Sequence, residues 1–125
     1  MGLAYRLYFD DWGIVSHTIE ADLVYVLAEG THVAVGYRFY VQGSADHYKP
    51  VYYQAERFMT TDKELSALSS HRAYVEFEHA FSGSLSDPGL KLNLSVAPSI
   101  YFYSEFPLLD RIRAVDLNGA LVWAY

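Results

Sequence analysis

The stretch 32–42, HVAVGYRFYVQ, decides the fold. In an extended chain Val33, Val35, Tyr37, Phe39 and Val41 point one way, while His32, Gly36, Arg38, Tyr40 and Gln42 point the other. Alternation with period two marks a strand with one apolar and one polar face; a helix would bring apolar residues round every three to four positions. The same period continues upstream. Leu3, Tyr5, Leu7 and Phe9 oppose Arg6, Tyr8 and Asp10, and Ile19, Ala21, Leu23, Tyr25 and Leu27 oppose Thr18, Glu20 and Asp22, with Val24 and Val26 blurring the polar side.

Downstream the phase holds over residues 63–81, setting Leu65, Ala67, Ala73, Val75, Phe77 and Phe81 against Glu64, Ser66, Arg72, Tyr74, Glu76 and Glu78. This reads as one strand of about 19 residues, long for a small soluble domain. Leu90, Leu92, Leu94, Val96, Ile100 and Phe102 then oppose Lys91, Asn93, Ser95, Ser99 and Tyr101. A last segment sets Val115, Leu117, Gly119, Leu121, Trp123 and Tyr125 against Asp116, Asn118 and Ala120. The expected fold is all-β, a single unit over 1–125 in which about six long strands run as an antiparallel up-and-down meander, part of a transmembrane β-barrel.

The connections support the membrane version. Residues 29–31 and 82–89, the latter with Asp87-Pro88-Gly89, carry compact turn chemistry, whereas 10–16, 43–61 and 104–110 are longer or more decorated. The longer three fall on one side of a meander, an asymmetry that outer-membrane barrels share. Aromatics on the apolar side gather near segment ends: Phe9, Phe39 and Phe102 at the loop end, and Tyr25, Phe77, Phe81, Trp123 and Tyr125 at the turn end. Such belts mark the two interfaces between water and lipid. A soluble β-barrel or sandwich, its apolar face turned inward onto a core or a small apolar ligand, shows the same alternation. Belts, loop asymmetry and strand length together favour the membrane.

Composition removes other classes. Cysteine is absent, so disulfides, thiolate nucleophiles and sulfur-ligated zinc are not available. Nine basic against 15 acidic residues give −6, with no basic cluster to neutralise phosphate backbones, so nucleic acid is not an expected partner. No stretch reaches the roughly 20 apolar residues of a spanning helix. No cofactor is expected.

Two stretches carry a resemblance. Residues 5–18, YRLYFDDWGIVSHT, and 37–48, YRFYVQGSADHY, resemble the signature of an uncharacterised family of bacterial outer-membrane barrels, catalogued as a domain of unknown function. Residues 58–68, FMTTDKELSAL, are similar to its next block. The resemblance covers nearly the whole chain and matches the C-terminal part of longer family members that carry a signal peptide. It implies a fold and a location, the Gram-negative outer membrane, and no functional residue.

Six strands leave two edges that cannot lie in hydrocarbon, and known barrels start at eight. The expectation is a segment of a larger barrel, completed by strands from the rest of the chain or from another copy. Its lumen would be lined by Arg6, Glu20, Asp22, Arg38, Arg72, Glu76, Glu78, Lys91 and Asp116, and Glu64 would join them. Such a charged lumen suits a porin-like channel, with a surface binding barrel as the alternative. Expected partners are outer-membrane lipid, lipopolysaccharide and, through the C-terminal strand, the barrel-insertion machinery.

The loop side gathers Asp10, Asp11, Ser16, His17, Asp46 and His47, types that could activate water or bind a divalent ion. They have no metal-site spacing and no nucleophile elbow, so neither a metal nor a catalytic residue is assigned. Tyr48, Tyr52 and Tyr53 could stack on sugars or pack the longest loop on itself. Arg111 and Arg113 fall on the apolar side, but at the loop end, where a lipid-facing Arg costs only about 0–1 kcal/mol.

Overall fold

The computed structural model describes residues 1–83, 88–106 and 109–123. Six strands lie in chain order in one antiparallel sheet: β1 (Gly2–Phe9), β2 (Val15–Ala28), β3 (Thr31–Gln42), β4 (Leu68–Gly83), β5 (Pro88–Tyr103) and β6 (Arg111–Trp123). Each strand pairs with its sequence neighbours, which makes the up-and-down meander expected from the alternation. The sheet is open, with β1 and β6 at its edges.

Register keeps the two faces separate. Leu23 pairs with Val35, Val35 with Val75, Val75 with Val96 and Val96 with Leu117, so one apolar row crosses five strands. Odd positions of β4 meet even positions of β5, which is why the apolar residues of β5 are even-numbered and those of the other strands odd. A slip of one residue would exchange the faces.

Three boundaries differ from the sequence reading. Strand β4 begins at Leu68, because residues 63–65 form a 3-10 turn instead of continuing the strand. Asp62 caps this turn by accepting from the Glu64 N–H, and the Ser66 hydroxyl donates to the Lys63 carbonyl. Local side-chain bonds of this kind compete with a ladder. Glu64 therefore leaves the polar strand face. Strand β2 begins at Val15, since Phe9 already pairs with Val15 across a short loop, and Ser16 and His17 become strand residues. Strands β4 and β5 extend to Gly83 and from Pro88, into the expected 82–89 turn, whereas β6 begins at Arg111, where the 104–110 connection was expected to end; Tyr125 and Asp87 lie outside the described residues.

Turn chemistry places the 29–31 connection as expected. Gly30, at φ 73°, closes the tight turn between β2 and β3, and its carbonyl accepts from Ala80 N–H at 2.7 Å. A bulge before Ala28 fits that turn into the register. The β4–β5 ladder skips Ala73 and Tyr74, where Pro98 has no N–H to give. At the opposite end, Ile14, Ala45 and Tyr48 form a small apolar cluster against Leu65 and Phe106, tying the three longer connections together. Backbone bonds from Ala45 N–H to the Leu65 carbonyl and from Asp46 N–H to the Trp12 carbonyl fix it.

Candidate functional site

Register places Arg6, Glu20, Asp22, Arg38, Arg72, Glu76, Glu78, Lys91 and Asp116 on one face. They form two strips. In the first, Glu20, Arg38 and Arg72 are successive cross-strand partners; Arg38 Nε lies 3.3 Å from Glu20 Oε1, and an Arg72 terminal nitrogen lies 3.2 Å from Asp116 Oδ2. The Arg38 contact is electrostatic only, because Nε makes no hydrogen bond of acceptable angle. Glu20 and Asp116 thus offset the like charges of Arg38 and Arg72, which register sets facing each other.

In the second strip Glu78 takes the Lys91 ammonium and lies 3.8 Å from His32 Nε2, while Asn93 donates to Glu76. Arg38, Arg72 and Lys91 are all paired with acids, and Asp22, Glu76 and Arg6 have no ion-pair partner among the described residues. The exposed Arg38–Glu20 and Arg72–Asp116 pairs are each worth only ~0.2–1 kcal/mol, so their arrangement matters for the field along the face more than for stability; the Glu78 pairs are more screened. Gln42 closes the loop end of the face, donating to the carbonyls of Glu64 and Ser66 at 2.8 and 2.9 Å.

The two faces differ in accessibility in an unusual sense. Thr18 is 5% exposed and its apolar neighbour Ile19 46%; Ala97 is 3% exposed and Val96 38%. The contrast is confined to the inner strands; on the edge strands β1 and β6 both faces are exposed, Leu3, Leu117, Leu121 and Trp123 among them.

On that apolar face, Phe9, Phe39 and Phe102 stand near the loop end, and Tyr25, Phe77, Phe81 and Trp123 near the turn end. The belts contain histidines that the sequence reading did not assign to them. His17 Nδ1 is 2.7 Å from the Tyr5 hydroxyl, His71 Nδ1 contacts the Tyr37 hydroxyl, and His79 Nδ1 is 2.8 Å from Thr31 Oγ1. His71 also packs against Phe39 and Phe102 with centroids 5.0 and 6.1 Å away. The odd numbers of these histidines were the available signal, overshadowed by their polarity.

The rim set does not converge. Asp10 is occupied in its turn, accepting from the N–H groups of Trp12 and Ile14 at 3.0 and 3.1 Å and from the Tyr8 hydroxyl at 2.9 Å. Ser16 and His17 point to opposite faces of β2, and His47 packs between Trp12 and Phe58. Among the described residues no group of three His, Cys, Asp or Glu could hold a metal ion. Tyr52 donates to the His47 carbonyl within its own loop, and burial raises the pKa of the Tyr48 phenol, keeping it a neutral donor.

Comparison with known families adds one match. The model for the proteins of unknown function DUF3570 matches residues 1–97. The chain belongs to that family. The DUF3570 match takes in β1 to β4 and most of β5, including the three stretches whose resemblance was noted in the sequence; β6, with Arg111 and Arg113, lies beyond it. No curated protein and no solved structure matches the chain.

Proposed function

We propose that this DUF3570 chain is a segment of an outer-membrane β-barrel, the C-terminal portion of a larger one, whose screened polar face lines a charged interior and whose apolar face meets lipid. One observation carries the reading: on the inner strands apolar side chains such as Ile19, Val35, Val75 and Val96 are accessible, while polar ones such as Thr18, Gln42, Glu78 and Ser99 are screened. Water rewards the reverse arrangement, and lipid rewards this one. The two aromatic belts and the longer connections on one side support it. Outer-membrane lipid and lipopolysaccharide would then surround β1 to β6, and the insertion machinery would engage the C-terminal strand. Strands from the rest of the protein or another copy would complete the edges at β1 and β6.

The interior is proposed as a porin-like pore, since its rows of ion pairs leave room for water between Arg38, Arg72 and Glu76. A surface-binding role is the second reading, favoured by Tyr53, Phe58 and Met59, which stand exposed on the longest loop.

Residues 1–125 contain no cysteine, so single cysteines can be placed in them for labelling in the full-length protein, with the unsubstituted protein as the background control. Expected is that Leu117→Cys in bilayers reacts with a lipid-soluble maleimide only, and Asn118→Cys with a small water-soluble one. A soluble barrel enclosing an apolar ligand would protect Leu117→Cys from both reagents and leave Asn118→Cys open without any bilayer.

A further inference from the structure

The apolar face has a charge pattern of its own. Within β1 to β6 no Asp or Glu lies on it, although acids outnumber bases 15 to nine in the chain. Its only permanently charged groups are Arg111 and Arg113, two positions apart on β6, and neither is ion-paired among the described residues. On the polar face Arg38, Arg72 and Lys91 have acid partners and only Arg6 has none among the described residues.

The surroundings suit an anionic amphiphile. Arg111 is paired across the ladder with Phe102 and holds its guanidinium 5.9 Å from that ring; Arg113 is paired with Ile100, which is paired with His71. His71 is held by the Tyr37 hydroxyl. Below this row the face is apolar, through Pro98 and Val115 to Val96 and Leu117. Cations thus stand above an acyl-compatible surface, at the end of the sheet that carries the longer connections.

We propose that Arg111, Arg113 and His71 form a docking site for the phosphate groups of a phosphorylated lipid in the loop-side leaflet, its acyl chains lying along Val96, Val115 and Leu117. This rests on the membrane reading above. Guanidinium groups bind phosphate through paired charge-assisted hydrogen bonds, which are strongest where water is scarce.

The test uses the full-length protein in micelles, with lipid A and phosphatidylcholine as probes and retention read by native mass spectrometry. Expected is preferential retention of lipid A, reduced roughly tenfold in the Arg111→Gln/Arg113→Gln double variant. The loss should be smaller in each single variant and in Arg57→Gln, a loop control, there should be none. Folding of each variant is checked by heat-shifted gel migration, and the single variants serve if the double one does not fold. Equal retention by parent and variants, equal retention of phosphatidylcholine, or displacement of lipid A by excess inorganic phosphate overturns the site. A protein that inserts in bilayers yet shows any of these loses the site alone; one that stays in solution without detergent loses the membrane reading as well.

Discussion

Tyr74 lies directly across the ladder from Gly36 and lays its ring over it, in the space a Cβ at position 36 would occupy. The pair sits on the polar face between the two strips of ion pairs. An aromatic ring over a strand glycine restores the contact that glycine lacks and pins the register.

Gly36→Val should therefore displace the Tyr74 ring and destabilise the sheet by about 1–3 kcal/mol, the ordinary cost of overpacking. Unfolding of the full-length protein in urea and detergent measures it. Adding Tyr74→Ala to Gly36→Val should recover part of the loss; a purely additive double variant would show that the ring does not depend on the glycine.

Lipid-facing charge should cost according to depth. Leu117 lies in the middle row with Val35, Val75 and Val96, and Leu121 nearer the turn end, paired with Leu92. Leu117→Arg is expected to cost about 2–4 kcal/mol and Leu121→Arg less. Refolding yield into bilayers gives the order; equal tolerance of both would place this face away from lipid.

Ion selectivity follows from pairing. With Glu64 in the 3-10 turn, the strands of the polar face carry Arg6, Arg38, Arg72 and Lys91 against Glu20, Asp22, Glu76, Glu78 and Asp116, a slight acidic excess. Weak cation preference is expected in planar bilayers. Glu78→Gln frees the Lys91 ammonium and should move the reversal potential towards anions. Anion preference in the parent, or absence of conductance, would count against the pore.

The loop end should loosen independently of the sheet. Asp10→Ala removes the acceptor for the Trp12 and Ile14 N–H groups and unseats Ile14 from its cluster with Ala45 and Tyr48, at about 1–2 kcal/mol locally. Limited proteolysis should then cut residues 49–58 faster while thermal unfolding of the sheet changes little. Unchanged cleavage would mean that Asp10 does not organise the loops.

Much of the sheet was legible because period two is a property of the extended backbone, visible in Val33 to Val41 without any knowledge of partners. Residues 63–67 were misread for the same reason: they alternate as well, and only the Asp62 cap and the Ser66 hydroxyl, acting locally, bend them out of the strand. Ser16 and His17 resembled a polar rim, and the pairing of Phe9 with Val15 separated them onto two faces.

Sequence alone determined which residues share a face, since parity needs only the chain, and it indicated the direction of the meander through its turns. Tertiary structure decided what parity cannot express: which charges meet across strands, which side chains are screened, and that His71 joins Arg111 and Arg113 at one end of the apolar face. Those relations depend on register between segments far apart in the chain, where Arg72 meets Asp116 and Glu78 meets Lys91, and no local pattern carries that information.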